Sequence, residues 1–307
     1  MILCCGEALI DMLPRQSATG EPAFAPYAGG AVFNSAIALG RLGVPVEFFS
    51  GLSSDLFGQQ IRAVLASSNV GSRYADISER PTTLAFVRLN DGHATYTFYD
   101  ENTAGRMLSE ADLPVLDDEI GAMLFGAISL IPEPSGSAYE ALMRREHGRR
   151  VTMLDPNIRP GFISDHGRHR ARILRMVAMA DIVKLSDEDL SWFGHEGDQE
   201  DFLQGWLANG PQLIVVTKGA AGATAYTKSH KVHVSSQPVT VVDTVGAGDT
   251  FNAGLLASLH EQGALTKTRL EALSAAEIHA ALTLGAKAAA VTVSRAGANP
   301  PWRHEIA

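Results

Sequence analysis

Cysteine is scarce in this sequence, and the two cysteines that occur, Cys4 and Cys5, are adjacent in the first apolar segment. Neighbouring residues of a strand point to opposite faces, so the pair is poorly placed to share a disulfide or a metal ion. A disulfide-stapled secreted miniprotein is therefore excluded. Two small strand residues in a reducing compartment are the simpler interpretation, and we expect a cytoplasmic protein.

A basic surplus and a long apolar run are also missing. The 25 Lys and Arg residues face 34 Asp and Glu residues, which gives a formal net charge of −9. Proteins that bind nucleic acid normally present a basic face, so nucleic acid is not an expected partner. The longest strongly apolar stretch, from Gly121 to Pro132, is shorter than the about 20 residues that span a bilayer. We expect no membrane partner either.

Short apolar segments of β type alternate with segments of helical periodicity. The predicted strands are Ile2–Glu7, Val46–Gly51, Ala122–Leu130, Val151–Leu154, Ile182–Leu185 and Leu213–Thr217, and the predicted helices are Val32–Leu42, Leu56–Ala66, Ala138–Glu146 and Ile173–Ala180. This alternation predicts a mostly parallel sheet with helices on both faces. After Gly222 we expect the strands Ala223–Tyr226, Val232–Ser235 and Val239–Asp243, then the helices Ala247–His260 and Ala275–Val293.

Two segments break the alternation. Thr83–Leu89 and Thr95–Tyr99 flank Asn90-Asp91-Gly92, which is a strong hairpin signal. Leu9–Tyr27 is also partly strand-like, with prolines that we take to mark turns. We therefore expect a small antiparallel sheet, formed by residues 9–27 and 82–101, that projects from one large α/β domain of residues 1–8, 28–81 and 102–307.

The strongest functional signal is the segment Asp243-Thr-Val-Gly246-Ala247-Gly248-Asp249. A glycine-rich turn at the start of a helix presents free backbone N–H groups and the positive end of the helix dipole, so it can bind an anion. Asp249 adds a carboxylate in the first helical turn. The segment is neither a Walker A loop nor a Rossmann fingerprint. A NAD-dependent dehydrogenase would need that fingerprint after the first strand, where Gly6-Glu-Ala-Leu-Ile-Asp11 stands instead.

This segment resembles the second signature of the ribokinase-like (PfkB) carbohydrate kinases. The resemblance implies a three-layer α/β/α ribokinase-like, or Rossmann-like, domain with a small β-sheet lid. It also implies an ATP-dependent sugar kinase that uses Mg²⁺ and, in some relatives, K⁺. In such an enzyme Asp249 would be the catalytic base, and the amides of Gly246, Ala247 and Gly248 would bind the transferred phosphoryl group. Lids of relatives often pair between subunits, so a homodimer through the lid is a further expectation.

The N-terminal part carries a matching sugar-binding signature. Gly29-Gly30-Ala-Val-Phe-Asn34 resembles the first signature of the family, and Gly6-Glu-Ala-Leu-Ile-Asp11 resembles the opening of bacterial fructokinases. An asparagine can donate to and accept from hydroxyl groups, and a carboxylate can accept from two of them. The implied substrate-binding residues are Asp11, Gly29, Gly30, Asn34, Tyr99 and Arg159, the last of these in the segment Asp155-Pro-Asn157-Ile-Arg159.

Two further segments resemble nucleotide and metal motifs. Lys184-Leu-Ser186-Asp-Glu188-Asp189 falls where the family has an Asn/Ser-x-x-Glu motif that organises magnesium through water. This chain has the shorter Asp189 at the fourth position, so Asp189 and Glu188 remain alternatives for the metal. The resemblance implies nucleotide contacts from Lys184, Ser186, Thr217, Gly219, Gly222 and Gly248, and a monovalent cation near Asp243.

The motifs favour fructose as the substrate and fructose 6-phosphate as the product, with the 1-phosphate as a weaker option. A 2-keto-3-deoxygluconate kinase is the nearest alternative, because Arg159 and Arg106 could hold a carboxylate, and a ribokinase follows. The acidic Asp100 in Phe98-Tyr99-Asp100 of the lid argues against a sugar acid. A catalytically silent sugar-binding regulator on the same fold is an alternative of a different class. Such a protein could dispense with Asp249, which this chain retains.

Overall fold

The computed structural model describes residues 1–90, 93–194 and 198–306. Its strands are β1 Ile2–Cys5, β2 Leu9–Gln16, β3 Pro22–Gly29, β4 Val46–Phe49, β5 Gly51–Ser53, β6 Val70–Gly71, β7 Asp76–Ser78, β8 Leu84–Asn90, β9 His93–Tyr99, β10 Ala122–Gly126, β11 Val151–Asp155, β12 Ile182–Ser186, β13 Leu213–Thr217, β14 Ala223–Tyr226 and β15 Lys231–Val234. Its α-helices are α1 Ala31–Arg41, α2 Leu56–Ser67, α3 Ser135–Glu146, α4 His166–Met179, α5 Asp187–Trp192, α6 Gln199–Ala208, α7 Ala247–Glu261, α8 Lys267–Glu271 and α9 Ala275–Val293.

The large sheet has the strand order β15-β14-β13-β12-β11-β10-β1-β4-β6 in the described part of the chain. Its strands from β13 to β6 pair in parallel, and β14 and β15 close one end as antiparallel strands. Consecutive residues of β1 enter opposite cores: Cys4 packs with α1, α7 and α9, whereas Cys5 packs with α3 and α4. Both faces are therefore covered by helices, and the expected three-layer α/β/α architecture is confirmed.

The predicted and observed element ends in this domain differ most at two places. The strand expected over Ala122–Leu130 stops at Gly126, and a 3-10 turn covers Ala127–Leu130. Helix α4 begins well before the predicted Ile173, because the Asp165 side chain accepts the Arg168 amide at 2.9 Å and caps an earlier start. The short helices α5, α6 and α8 are not predicted at all.

The predicted strand Val239–Asp243 is wrong. This segment has no ladder partner in the structure and crosses to the end of α9, where the amides of Val242 and Asp243 donate to the Val293 carbonyl at 2.8 and 3.2 Å. Val239, Val241 and Val242 are exposed. β-Branched residues favour an extended chain, but a strand forms only where another strand offers a free edge.

A second sheet, the lid sheet, has the order β3-β2-β8-β9. It consists of two antiparallel hairpins, β2 with β3 and β8 with β9. The hairpins join through parallel pairing of β2 and β8 over Ile10–Met12, so the sheet is not wholly antiparallel as predicted. Asp91 and Gly92 of the predicted hairpin turn lie outside the described residues. The division of the chain into a domain and a lid stays a prediction.

The prolines of this sheet lie inside strands, not only at turns. Pro14 is in β2 beyond the residues that pair with β8, and Pro22 and Pro26 are in the edge strand β3. A proline that faces no third strand removes no ladder hydrogen bond, so these positions tolerate it. In the described residues no helix is long and apolar enough to cross a membrane.

Candidate active site

The ends of the parallel strands bring polar residues to one edge of the large sheet. β11 ends at Asp155, β12 at Ser186 and β13 at Thr217, and the last two residues are register partners. The start of α7 reaches the same edge, since a Cβ on Gly248 would lie 3.2 Å from Nζ of Lys184. Ligands of open α/β sheets bind at the carboxyl ends of the strands, so this edge is the expected position of an active site.

Asp249 lies in the first turn of α7 and is 7% exposed. Asn34 of α1 donates from Nδ2 to its Oδ2 at 2.9 Å, and Ser35 donates from Oγ to its carbonyl at 3.1 Å. Two motifs that are 215 positions apart are thus in contact. Burial raises the pKa of Asp249 to about 7, although the Asn34 hydrogen bond favours the charged form. A carboxylate with this pKa can accept a proton near neutral pH.

The turn before Asp249 needs glycine. Gly246 has φ of 77° and caps α7, and a Cβ there would lie 2.7 Å from Cβ of Ala298. The Ala247 amide donates back to the Thr244 carbonyl at 3.3 Å, so one of the three predicted anion donors is engaged within the turn. Gly246 and Gly248 are the remaining candidates.

A buried ion pair lies beneath Gly248. Nζ of Lys184 is 3.1 Å from Oδ2 of Asp155, and the two side chains are 5% and 6% exposed. Asn252 of α7 donates to the same oxygen at 2.6 Å. Burial alone would lower the pKa of Lys184, but the charges of Asp155, Asp189 and Asp249 raise it. Lys184 is therefore a fixed cation beside Asp249, whereas Asp155 and Asn252 are site residues that the sequence interpretation leaves without a role.

The paired glycines before α1 form the other side of the site. A Cβ on Gly29 would lie 2.4 Å from Oδ2 of Asp11, and Gly30, with φ of 118°, abuts the Glu7 carbonyl. Burial raises the pKa of Asp11 to about 6. Only glycine lets the backbone approach this carboxylate so closely, and the predicted sugar-binding residues Asp11, Gly29 and Gly30 are brought together.

Glu7 is a site residue that the sequence interpretation misses. Its buried carboxylate accepts the amides of Ala31 at 2.7 Å and Ser129 at 3.2 Å, and so ties the start of α1 to the turn after β10. Burial raises the pKa of Glu7 to about 7, against these hydrogen bonds. An acidic residue directly after a buried strand is the signal that could have identified it.

The lid sheet presents Phe98, not Tyr99, to the site. The strand registers place Asp11, Ala85 and Phe98 on one face, and Tyr99 on the other. Tyr99 is 61% exposed, and its ring packs edge-on against Phe86 with centroids 5.4 Å apart. The assignment of Tyr99 to the substrate side is corrected on this geometry, because neighbouring strand residues point to opposite faces.

Arg159 is exposed, and its Nη1 donates to the carbonyl of Ile158 at 3.0 Å. Its charge acts on Tyr96 together with the charges of Asp11 and Asp243, and burial is the main cause that raises the Tyr96 pKa. Tyr96 shares a face with Phe98 in β9. Arg159 is therefore within electrostatic range of Tyr96.

Asp189 is engaged by the backbone. Its Oδ1 accepts the Ile158 amide at 2.7 Å, and its Oδ2 accepts the Ser186 amide at 2.8 Å. Ser186 in turn accepts the Asp189 amide at 3.0 Å and completes a capping box at α5. Glu188 next to it is exposed. Of the two predicted metal residues, Glu188 is the one with a carboxylate available to a metal-bound water.

The other predicted cation residue, Asp243, also accepts backbone amides, from Val245 at 3.0 Å and Gly297 at 2.9 Å. Among the described residues no three Asp, Glu, His or Cys side chains converge on a metal position. The donor set therefore does not fit a resident metal with an all-protein coordination sphere.

The predicted nucleotide turn lies between β13 and β14. Oγ1 of Thr217 donates to the Leu185 carbonyl at 3.2 Å, and the Lys218 amide donates to the Gly222 carbonyl at 2.8 Å. Gly219 is exposed within this turn. The turn is thus at the same sheet edge as Ser186 and Lys184, on the side away from the lid sheet strands.

A cavity of about 480 Å³ extends from Glu7 between the lid sheet and the large domain. Phe98 and Phe162, with ring centroids 4.8 Å apart, form part of its wall. The size lies within the range of small-ligand pockets, roughly 300 to 1,000 Å³. The cavity is large enough for a monosaccharide, but Asp11, Asn34 and Asp249 are not among the residues that line it.

An α/β/α fold with a buried carboxylate at a helix start and a ligand cavity beneath a second sheet defines a class of kinases that act on small molecules. The model of the pfkB family carbohydrate kinases matches residues 1–305, and the chain belongs to this family. It is accordingly an ATP-dependent carbohydrate kinase.

Several known proteins are similar to this chain. A fructokinase of Rhizobium leguminosarum bv. trifolii is 60% identical over 273 residues, which cover 89% of this chain and 84% of the relative. The crystal structure of Xylella fastidiosa fructokinase with bound ATP has a TM-score of 0.86 at 29% identity and covers 97% of this chain and 93% of that one. The crystal structure of Vibrio cholerae O395 fructokinase with fructose, ADP and calcium ion has a TM-score of 0.83 at 28% identity. It covers 97% of this chain and 94% of that one.

Proposed function

We propose that this protein transfers the γ-phosphoryl group of ATP to the primary hydroxyl of fructose and forms fructose 6-phosphate. The similarity to fructokinases supports fructose as the sugar. The observation that carries the chemistry is the buried Asp249 carboxylate, which Asn34 orients and whose pKa is about 7. A catalytically silent sugar-binding regulator would not require a buried, hydrogen-bonded base at this position.

In the proposed reaction, an in-line displacement at the γ-phosphorus, the residues of the site have different roles. The sugar hydroxyl oxygen forms the new bond to the γ-phosphorus, the bond from that phosphorus to the β–γ bridging oxygen breaks, and ADP leaves. Asp249 accepts the hydroxyl proton as the oxygen attacks. Lys184 and the amides of Gly246 and Gly248 lie where positive potential stabilises the charge on the transferred group. Asp11, Asn34 and the paired glycines hold the sugar.

ATP enters as its magnesium complex in this proposal. Glu188 would orient water molecules of that ion, because its carboxylate is exposed while both oxygens of Asp189 accept amides. Thr217, Gly219 and Gly222 would contact the nucleotide at the end of β13. A monovalent cation such as K⁺ would be held at the loop that Asp243 ties to Gly297.

The lid sheet would cover the sugar and exclude water, which suppresses hydrolysis of ATP. Its inner face carries Asp11 and Phe98.

The outer face of the lid sheet carries Phe24, which is 46% exposed, and Tyr99, and both rings pack against Phe86 between them. An exposed aromatic face of this kind suits pairing with the lid of a second copy. Sedimentation of the wild type and of Phe24→Ser would test this homodimer, and a monomeric wild type would contradict it.

The substrate is tested by measuring ADP release with fructose, ribose and 2-keto-3-deoxygluconate in parallel. We expect the highest kcat/KM with fructose, and phosphorus NMR of the product would identify the 6-position. Activity on the keto acid alone would overturn the choice of sugar. ADP release with none of the three sugars, at intact ATP binding, would favour the silent sugar-binding alternative.

A further inference from the structure

Two buried side-chain oxygens near Asp249 have no hydrogen-bond donor in the part of the chain that the structure describes. They are Oδ1 of Asp155, at the end of β11, and Oδ1 of Asn252, in α7. Asp155 and Asn252 are 4% and 2% exposed, so bulk water does not reach either oxygen. A buried acceptor without a donor is costly, above all when it belongs to a charged group. Both oxygens therefore need a donor that the described groups do not supply.

The orientation of the Asn252 amide is set by Asp155. Its Nδ2 donates to Oδ2 of Asp155 at 2.6 Å, and Nζ of Lys184 lies 3.1 Å from the same oxygen. A flipped amide would place two oxygens against each other, because an ionised carboxylate only accepts hydrogen bonds. Rotation of the amide therefore cannot provide Oδ1 of Asn252 with a donor.

A second, small cavity is lined by residues of α1, β10, β11 and α7. Asp155, Asn252 and Asp249 all belong to its wall, together with Ser35 and Asn157. Its volume of about 10 Å³ is close to the least that holds one water molecule, roughly 10 to 15 Å³. A water molecule donates two hydrogen bonds, and the two acceptors without donors belong to residues of this wall. The size and the chemistry of the cavity therefore both fit one water molecule.

We propose that one internal water molecule bridges Oδ1 of Asp155 and Oδ1 of Asn252, and that Asn252 is a positioning residue of the active site. The water and the Asn252 amide together satisfy both oxygens of Asp155, so this carboxylate keeps one orientation. Asp155 in turn holds the Lys184 ammonium beneath Gly248. The inference rests on the proposed function in one respect, namely that Lys184 stabilises the transferred phosphoryl group.

Asn252 acts on the reaction through the ion pair, because its hydrogen bond goes to Asp155. Burial is the main cause that raises the pKa of Asp249, the Asp155 charge raises it further, and the Lys184 charge lowers it. The Asp155 and Lys184 charges thus both reach the proposed base. A loosened ion pair should lower kcat, whereas the KM for the sugar, which depends on other residues, should stay unchanged.

Two substitutions of Asn252 separate hydrogen bonding from packing. Asn252→Ala leaves space that water can fill, and this water can donate to Asp155 in place of the amide. Asn252→Val fills the space with apolar atoms, so Asp155 loses both donors. We expect kcat to fall about tenfold or more in Asn252→Val and at most about threefold in Asn252→Ala, with an unchanged KM. A packing role predicts the opposite order, since alanine leaves the larger cavity, and that order would overturn the proposal.

Thr292→Val is the matched control. Oγ1 of Thr292, in α9, lies 3.0 Å from Oγ1 of Thr250 in α7, and both side chains are buried. The control removes a buried hydrogen bond of α7 that does not involve Asp155, so kcat should stay at the wild-type value. A fall as large as that of Asn252→Val would show a general effect of α7 packing and would refute the inference.

A high-resolution crystal structure of the wild type tests the water molecule directly. We expect one ordered water within hydrogen-bond distance, roughly 2.7 to 3.2 Å, of both Oδ1 atoms, and its loss in Asn252→Val. A wild type without density between these two atoms would contradict the proposal. The kinetic comparison uses whichever sugar the wild type phosphorylates fastest. A sugar other than fructose, with the expected order of the variants, would therefore refute the proposed function alone.

Discussion

Asn34 donates a hydrogen bond of 2.9 Å to Asp249, and this contact joins the helix after the sugar-side glycines to the helix after the phosphate-side glycines. The hydrogen bond favours the ionised carboxylate, burial favours the neutral one, and the resulting pKa is about 7. In the proposed reaction this contact places the proton acceptor between the two glycine turns, with a pKa close to neutral pH.

The first prediction concerns turnover. Asp249→Asn keeps the shape of the side chain but cannot accept the sugar proton, so kcat should fall by about 10²-fold or more. The dissociation constants of ATP and fructose should change little, because asparagine can still accept from Asn34. Steady-state kinetics and calorimetry measure the two quantities. Turnover near that of the wild type would contradict the role of Asp249 as base.

The second prediction concerns the pH profile. Only the ionised form of Asp249 accepts a proton, so kcat/KM, which reports the pKa of the free enzyme, should rise with pH through about 7 and then level off. Asn34→Ala removes a donor that lowers the Asp249 pKa, and the rise should move to higher pH by roughly one unit. Ser35→Ala is the control, since Ser35 contacts the Asp249 carbonyl and not its carboxylate. An equal shift in both variants would exclude a specific effect of Asn34.

The third prediction concerns stability. Because the pKa of Asp249 is about 7 in the folded protein and its ordinary value is 3.8, the folded state binds more protons than the unfolded state between these limits. The Asp249 contribution to the free energy of unfolding therefore falls as pH rises from about 4 to about 7. Asp249→Asn should be more stable than the wild type at pH 8, by at most about 4 kcal/mol, and equally stable near pH 4.

Urea unfolding of both proteins across this range measures that difference. Glu7 titrates in the same window and its charge helps to raise the pKa of Asp249, so the measured difference contains Asp249 together with its coupling to Glu7. A difference that is independent of pH would show that Asp249 is not a buried, titrating carboxylate.

The fourth prediction separates the two acidic residues of α5. Asp189→Ala removes the acceptor of two backbone amides and should lower the free energy of unfolding by about 1 to 2 kcal/mol. Glu188→Ala should leave stability nearly unchanged and raise the magnesium concentration needed for half-maximal activity. Chemical denaturation and magnesium titration of activity distinguish them. A raised magnesium requirement in Asp189→Ala alone would reverse the assignment.

The local motifs were sufficient to predict much of the site. The glycines around Asp249 and before Asn34 are contiguous in the sequence, and turns of this kind depend on a few neighbouring residues. The strands that surround them are apolar on both faces, which is the pattern of a parallel sheet with helices on both sides. The order of elements followed from this pattern, apart from the short strands β5 to β7, the helices α5, α6 and α8, and the Val239–Asp243 segment.

The missed residues are those whose partners are distant in the sequence. The basic residues of His166–Arg175 give no sign of burial in the sequence, yet Arg172 is buried and paired with Glu140 of α3 and with Glu133 just before that helix. Likewise, Lys184 needs Asp155 to be stable in the interior. A charge is buried only where the fold supplies its counter-charge, and sequence spacing contains no record of that pairing.

The sequence by itself determined the layered α/β architecture and the identity of the catalytic carboxylate candidate, because periodicity and glycine turns act over short distances. Tertiary structure decided which face of the lid sheet is turned to the cavity, so that Phe98 and not Tyr99 lines it. It also decided that Asp189 accepts amides and that Arg106 is neutralised by Asp100. These outcomes depend on register, burial and charge pairing, which arise only when separate segments pack together.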